Sequence, residues 1–359
     1  MALRHRFSVV ASLASLLLCT CFALAQDEPL ATPAAVLITD FNFEFQGWNN
    51  CGPATLTNAL THFGYRNDQN RAANWLKPNR EDKNVTPQEM VDFVNNELPE
   101  LPVRALARSG GDLQLLRRFI AAGHPVIVEK GYEPPPGDLG WMGHYLLMIG
   151  YDDDRREFTT HDSYRGPQKI YSYDQISEYW QHFNNSYIVL FESVEEQQLL
   201  AMLGEDADPQ QNILRTLEEQ RLAVMEDPEN PFLWFNIGSN YVALAPDYGR
   251  QAWEYATLAF DEARRYGLPF RMLWYQFGPL EAYNAVGRYQ DTLTLANVNL
   301  NDGGGHFVEE IWYHVGKARE GMGQTRVAAE NYRRALEVNR NYGAAREALE
   351  ALQAGGTTG

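Results

Sequence analysis

Gln46-Gly47-Trp48-Asn49-Asn50-Cys51-Gly52-Pro53-Ala54 sets a thiol at the start of a helix. Pro53 fits a first helical turn and Gly64 the position past a helix end, so the spacing predicts a helix over 54–63. The unpaired amides and dipole at that start favour a thiolate over a thiol and can donate to an oxyanion. Gln46, five residues before Cys51, adds a neutral amide donor that completes such a hole without competing for the thiolate's proton.

Outward from this stretch, Thr86-Pro87-Gln88-Glu89 has capping-box spacing and opens a second helix. A third is expected over 112–122, ending at Gly123. Apolar runs at 125–129, 145–151, 157–160 and 187–191 are rich in Val, Ile, Tyr and Phe, which predicts strands of a mainly antiparallel sheet. A Pro-rich loop, Gly131 to Gly140, precedes Met142-Gly143-His144-Tyr145 and is expected to wall a cleft. His144 then stands at the mouth of a strand, placed to act as base toward Cys51. Asp162 closes the next strand, and antiparallel pairing would bring it beside His144 as the orienting group. His161 and His124 are the rival bases. A buried, structural Cys51 and a turn-capping Asp162 are the plain alternatives.

Taken in order, Gln-x-x-x-x-Cys-Gly-Pro, Gly-His-Tyr with a strand closing in Gly150-Tyr151-Asp152, and Asp-Ser-Tyr-x-Gly resemble the peptidase C39-like group of papain-fold cysteine peptidases. The resemblance covers about residues 36–193. It implies an α+β papain-like domain with Cys51 as nucleophile, His144 as general base and acid, Asp162 as orienting residue and Gln46 as oxyanion donor. The group includes leader-cleaving domains of bacteriocin exporters, which cut after paired glycines. Ser163 stands where Pro is common in the family, and no exporter membrane or ATP-binding region is present.

After about Val194 the pattern becomes helical. Trp234 and Gly238, Trp274 and Gly278, and Trp312 and Gly316 share one spacing, recurring at intervals typical of helical solenoids. The last unit, with Ala328, Tyr332 and Ala335, resembles a tetratricopeptide repeat. The expected organisation is a signal peptide over 1–25, a leader over 26–35, the peptidase-like domain over 36–193, linker helices over 194–226, tetratricopeptide-like repeats over 227–355 and a disordered tail over 356–359. A fragment ending between Val194 and Pro209 is expected to fold by itself.

Arg4 and Arg6 before an apolar run, closed by Ala23-Leu24-Ala25, read as an export signal to the periplasm or the outside, with membrane attachment only if the signal stays uncleaved. Cleavage would remove Cys19 and Cys21 and leave Cys51 as the one cysteine, which in an oxidising compartment calls for a function. Over 359 residues, 47 acidic against 30 basic side chains give a formal net charge of -17, which argues against a nucleic-acid partner. The Asp152-Asp153-Asp154 run reads as a turn, and no cofactor or metal is expected. The sequence thus describes an exported thiol hydrolase acting on a peptide or protein, with a helical array for a protein partner. A peptide-binding adaptor and a thiol acyltransferase or amidase of the same fold are the alternatives.

Overall fold

The structure, a computed structural model, describes residues 32–132, 140–301 and 304–356. The expected signal peptide, residues 26–31 of the leader, most of the Pro-rich loop and the last three residues of the expected tail lie outside the described residues. Among the described residues, no helix is long and apolar enough to cross a membrane.

The first half is built on seven antiparallel strands: β1 (Ala35–Leu37), β2 (Val103–Arg108), β3 (Val126–Tyr132), β4 (Met142–Asp152), β5 (Glu157–Asp162), β6 (Gly166–Ser172) and β7 (Tyr187–Glu192). Their order is β2-β7-β3-β4-β5-β6, with β1 paired to the far end of β4. Helices α1 (Cys51–Thr61), α2 (Gln69–Leu76), α3 (Pro87–Glu97), α4 (Leu113–Ala121) and α5 (Tyr173–Trp180) complete this half. Both faces of the sheet are covered, which explains the unbroken apolar run of β4. Tyr145, Leu147 and Ile149 join the core under α1, α2 and α3, while Leu146 and Met148 join the core under α4 and α5.

Local signals set the helix ends. Thr86 and Glu89 form the expected capping box at α3, Asp112 caps α4, and Gly64 and Gly123 take positive φ after α1 and α4. Strands β1, β2 and β6 and helices α2 and α5 go beyond what the sequence pattern predicts.

The second half is helix-rich: α6 (Glu196–Leu203), α7 (Pro209–Glu226), α8 (Pro231–Tyr248), α9 (Arg250–Tyr266), α10 (Gly278–Ala285), α11 (Tyr289–Asn301), α12 (Glu309–Gly321), α13 (Thr325–Val338) and α14 (Gly343–Gly356). Two of the Trp-x-x-x-Gly units lie inside helices. Gly238 of α8 faces the Phe260 ring of α9, and Gly316 of α12 faces the Tyr332 ring of α13, so the missing side chain lets each pair approach. The third unit differs, because Trp274 ends a 3-10 turn and Gly278 opens α10.

The expected linker is packed on one side: Leu199 and Leu203 of α6 belong to the sheet core with α4 and α5. Farther on, Trp141 and Phe183 of the sheet half share a cluster with Phe235, Phe260 and Met272 of the helical half. The described residues from Pro33 onward cluster as one compact unit. A chain ending after Asp208 would uncover Trp141 and Phe183 together and is expected to aggregate. A soluble monomer of that length, with native near-UV dichroism, would show instead that the sheet half stands alone.

Candidate active site

Cys51 is the first residue of α1, and the helix carries no acidic residue in its first turn. Its amide and that of Gly52 have no carbonyl a turn ahead of them, as at any helix start, and Pro53 has no amide to leave unpaired. The loop before it is held from α2. Gln69 Oε1 accepts from the amide of Gly47 at 2.7 Å and from Asn50 Nδ2 at 3.0 Å, while Gln69 Nε2 donates to the carbonyl of Phe45 at 2.8 Å and to Glu44 Oε2 at 2.9 Å. Asn49 accepts the left-handed turn, with φ at 55°, just before the cysteine. The buried Lys77 ammonium donates to the carbonyl of Arg80 at 3.2 Å and reaches Asn50 Oδ1 at 3.4 Å.

His144 lies near the start of β4, opposite Lys130 of β3. Its Nε2 is 2.9 Å from Asp162 Oδ1, at the end of the neighbouring β5, and both side chains are buried. Cys51 lies close enough to the ring to favour its charged form. Because Nε2 is taken by Asp162, Nδ1 is the ring nitrogen left for Cys51. Asp162 Oδ1 further accepts the amides of Tyr164 at 2.9 Å and Arg165 at 3.0 Å, and Oδ2 accepts the Tyr171 hydroxyl at 2.6 Å. Burial opposes ionisation of Asp162, but these donors and the His144 charge outweigh it and hold the carboxyl well below its ordinary range. Burial likewise disfavours the charged imidazole, yet the bonds and charges of Asp162 and Cys51 prevail and raise His144 to about 9.

Gln46 stands beside this group. Its amide N–H donates to the carbonyl of Ser163 at 2.9 Å, and its Oε1 accepts from Ser163 Oγ at 3.0 Å. The oxygen end of the side-chain amide is therefore occupied, and the Nε2 end is the donor left over. The structure thus brings together Cys51 at the α1 start, His144 of β4, Asp162 of β5 and Gln46 in the loop before α1, which is tied to Ser163 after β5.

The rival histidines are placed otherwise. His161 packs against the rings of Phe41 and Phe43 and accepts the amide of Gln168 through Nδ1, and burial lowers its pKa. His124 sits after Gly123, 3.8 Å from Glu195, and burial lowers its pKa too. In the Asp152-Asp153-Asp154 turn, Asp153 pairs with Arg117 at 2.8 Å and accepts the Tyr173 hydroxyl at 2.7 Å.

Two neighbours of Cys51 carry no sequence motif. Glu129 of β3, opposite Tyr145 of β4, lines the cavity at the sulfur. Burial first, and then the charge on Cys51, push its carboxyl well above the usual range. Tyr275 comes from the helical half and lines the same cavity, whose volume is about 10 Å³. A Cβ at position 143 would lie 2.8 Å from the Phe183 ring and 3.1 Å from Tyr275, so Gly143 leaves the space in which both rings seat. Tyr275 also packs edge-on to Trp141 and Phe183.

Residues 38–191 match the model of the Peptidase_C39 like family. Among solved structures, the chain is similar to a protein from Bacillus anthracis provisionally assigned as a C39-like peptidase, at 15% identity and a TM-score of 0.36, over 44% of this chain and 98% of that one. No curated protein matches the chain.

The raised His144 value makes stability depend on pH in a defined direction. Its value in the fold, about 9, exceeds its ordinary 6.5, so the fold holds the proton more tightly than the unfolded chain does. This contribution is complete below the ordinary value and is lost as pH rises through about 9. Urea unfolding of the wild type and of His144→Ala is therefore expected to give curves that converge between pH of about 6 and about 10. A gap that stays constant over that interval would contradict the assignment.

Proposed function

We propose that this chain is an exported cysteine peptidase of the C39-like kind, with a papain-like α+β domain, which cleaves a peptide bond through a thioester on Cys51. One observation carries the reading: a thiol at a helix start stands beside a buried imidazole whose Nε2 is 2.9 Å from a buried carboxylate. The family match over 38–191 supports it.

In this mechanism His144 holds its proton through the neutral range, and the imidazolium stabilises the Cys51 thiolate beside it. The sulfur attacks the carbonyl carbon of the scissile amide, and the electron pair of the C=O moves to oxygen. The oxyanion is met by the helix-start amides and by Gln46 Nε2. His144 gives its proton to the departing amine, the C–N bond breaks, and the acyl group remains on sulfur. A water then loses its proton to the neutral imidazole, attacks the thioester and restores the thiolate and the imidazolium. Asp162 keeps the ring oriented through both steps and offsets its positive charge, as the third member of such a triad does.

The helical half serves as a tetratricopeptide-like array that binds a protein partner or the protein substrate. The Gly-to-aromatic contacts between α8 and α9 and between α12 and α13 support that reading.

A fluorogenic peptide library and a peptidyl acyloxymethyl ketone, with labelling mapped by mass spectrometry, test the assignment. Cys51→Ala and His144→Ala are expected to abolish turnover in folded protein, and Asp162→Asn to leave residual activity. Gln46→Ala is expected to lower kcat by roughly two to three orders of magnitude. Labelling elsewhere than Cys51, or full turnover in His144→Ala, would overturn the reading.

A further inference from the structure

The side chain of Ser163 is fully buried directly after Asp162, and its bonds lead away from that carboxylate. Its Oγ–H donates to Gln46 Oε1 at 3.0 Å, while its carbonyl accepts the amide of Gln46 at 2.9 Å. One residue therefore holds both the main chain and the side chain of the oxyanion donor. Behind it, Thr55 Oγ lies 3.3 Å from Ser163 Oγ and 3.4 Å from the carbonyl of Tyr145, and its one proton can go to either. Thr55 is itself buried, one helical turn beyond Cys51 on α1.

A primary amide presents either a donor or an acceptor, depending on which end faces outward. Only the nitrogen end stabilises an oxyanion. The oxygen end, carrying partial negative charge, would repel it. When Thr55 donates to it, the hydroxyl of Ser163 has its own proton free for Gln46 and selects an oxygen as its neighbour. That choice turns Nε2 the other way.

We propose that Ser163, backed by Thr55, is a positioning residue that fixes the Gln46 amide with its nitrogen end toward the oxyanion. This rests on the peptidase reading above. The dipeptide Asp162-Ser163 then orients two parts of the machinery at once: the carboxylate sets the imidazole, and the hydroxyl sets the amide.

Two reagents separate this role from a structural one in the full-length chain. With p-nitrophenyl acetate, the Cys51 sulfur attacks the ester carbonyl, an oxyanion forms, the C–O bond breaks and p-nitrophenolate leaves, giving acetyl-Cys51. With iodoacetamide, the same sulfur displaces iodide from a saturated carbon and no oxyanion forms. Loss of an oxyanion donor costs about a hundredfold or more, so a donor left in place but free to turn is expected to cost about tenfold. Ser163→Ala should therefore slow acetylation about tenfold while iodoacetamide alkylation keeps its wild-type rate. In a Gln46→Ala background Ser163→Ala should add nothing, because its effect passes through that amide.

Wild-type acetylation by Ser163→Ala, an equal slowing with both reagents in a folded protein, or an undiminished effect in the Gln46→Ala background would each overturn the proposal. If Ser163→Ala does not fold, Thr55→Val carries the test: acetylation slowed with alkylation unchanged supports the proposal, and unchanged acetylation overturns it. A wild type that is alkylated at Cys51 but never acetylated would remove the acyl-transfer reading, and this proposal with it, which is a different result from a normal wild type with a normal Ser163→Ala.

Discussion

A buried hydrogen bond between two neighbouring strands, His144 Nε2 to Asp162 Oδ1, is the constraint on which the site depends. Burial alone would strip the charge from both partners, since the interior penalises an isolated ion. Each keeps its charge because the other is there, and because Tyr171 and the amides of Tyr164 and Arg165 donate to the carboxylate. The pair in turn fixes which imidazole nitrogen faces Cys51. The sheet makes this possible: pairing of β4 with β5 places residues eighteen positions apart within reach.

The rest of the molecule holds two further pieces against that pair. α1 packs on the sheet through Leu56, Ala59 and Leu60, so its start, with Cys51, comes to the start of β4. Gln69 of α2 ties down the loop that carries Gln46 toward the cysteine. From the other half, Tyr275 closes the cavity at the sulfur over Gly143. The helical half therefore bounds the cavity beside Cys51 directly.

The parts that were legible in the sequence are those whose chemistry and local signals coincide. Cys51 before Gly52-Pro53 reads as a helix start, and the apolar run after His144 reads as a strand. The capping box at Thr86 and the stop at Gly123 are likewise written locally. Strand β2 was not legible, because Arg104, Arg108 and its small Ala residues break the apolar pattern, and its pairing comes from β7 far along the chain. Strand β6 was hidden for a similar reason, with Pro167 and Gln168 exposed at a sheet edge. Ser163, Glu129 and Tyr275 became visible only in three dimensions. Their partners lie on other elements, and Tyr275 arrives from a region whose repeat pattern speaks of helix packing. The Trp274 and Gly278 unit shows the reverse case, where a repeated spacing meets a 3-10 turn instead of a helix interior.

The central claim is that His144 is held protonated between Asp162 and Cys51, and an NMR titration of the His144 ring tests it most directly. The ring is expected to titrate near 9 in the wild type. In Cys51→Ala, with one of its supporting partners gone, the midpoint should fall. A wild-type midpoint near the ordinary 6.5, unmoved by Cys51→Ala, would contradict the account.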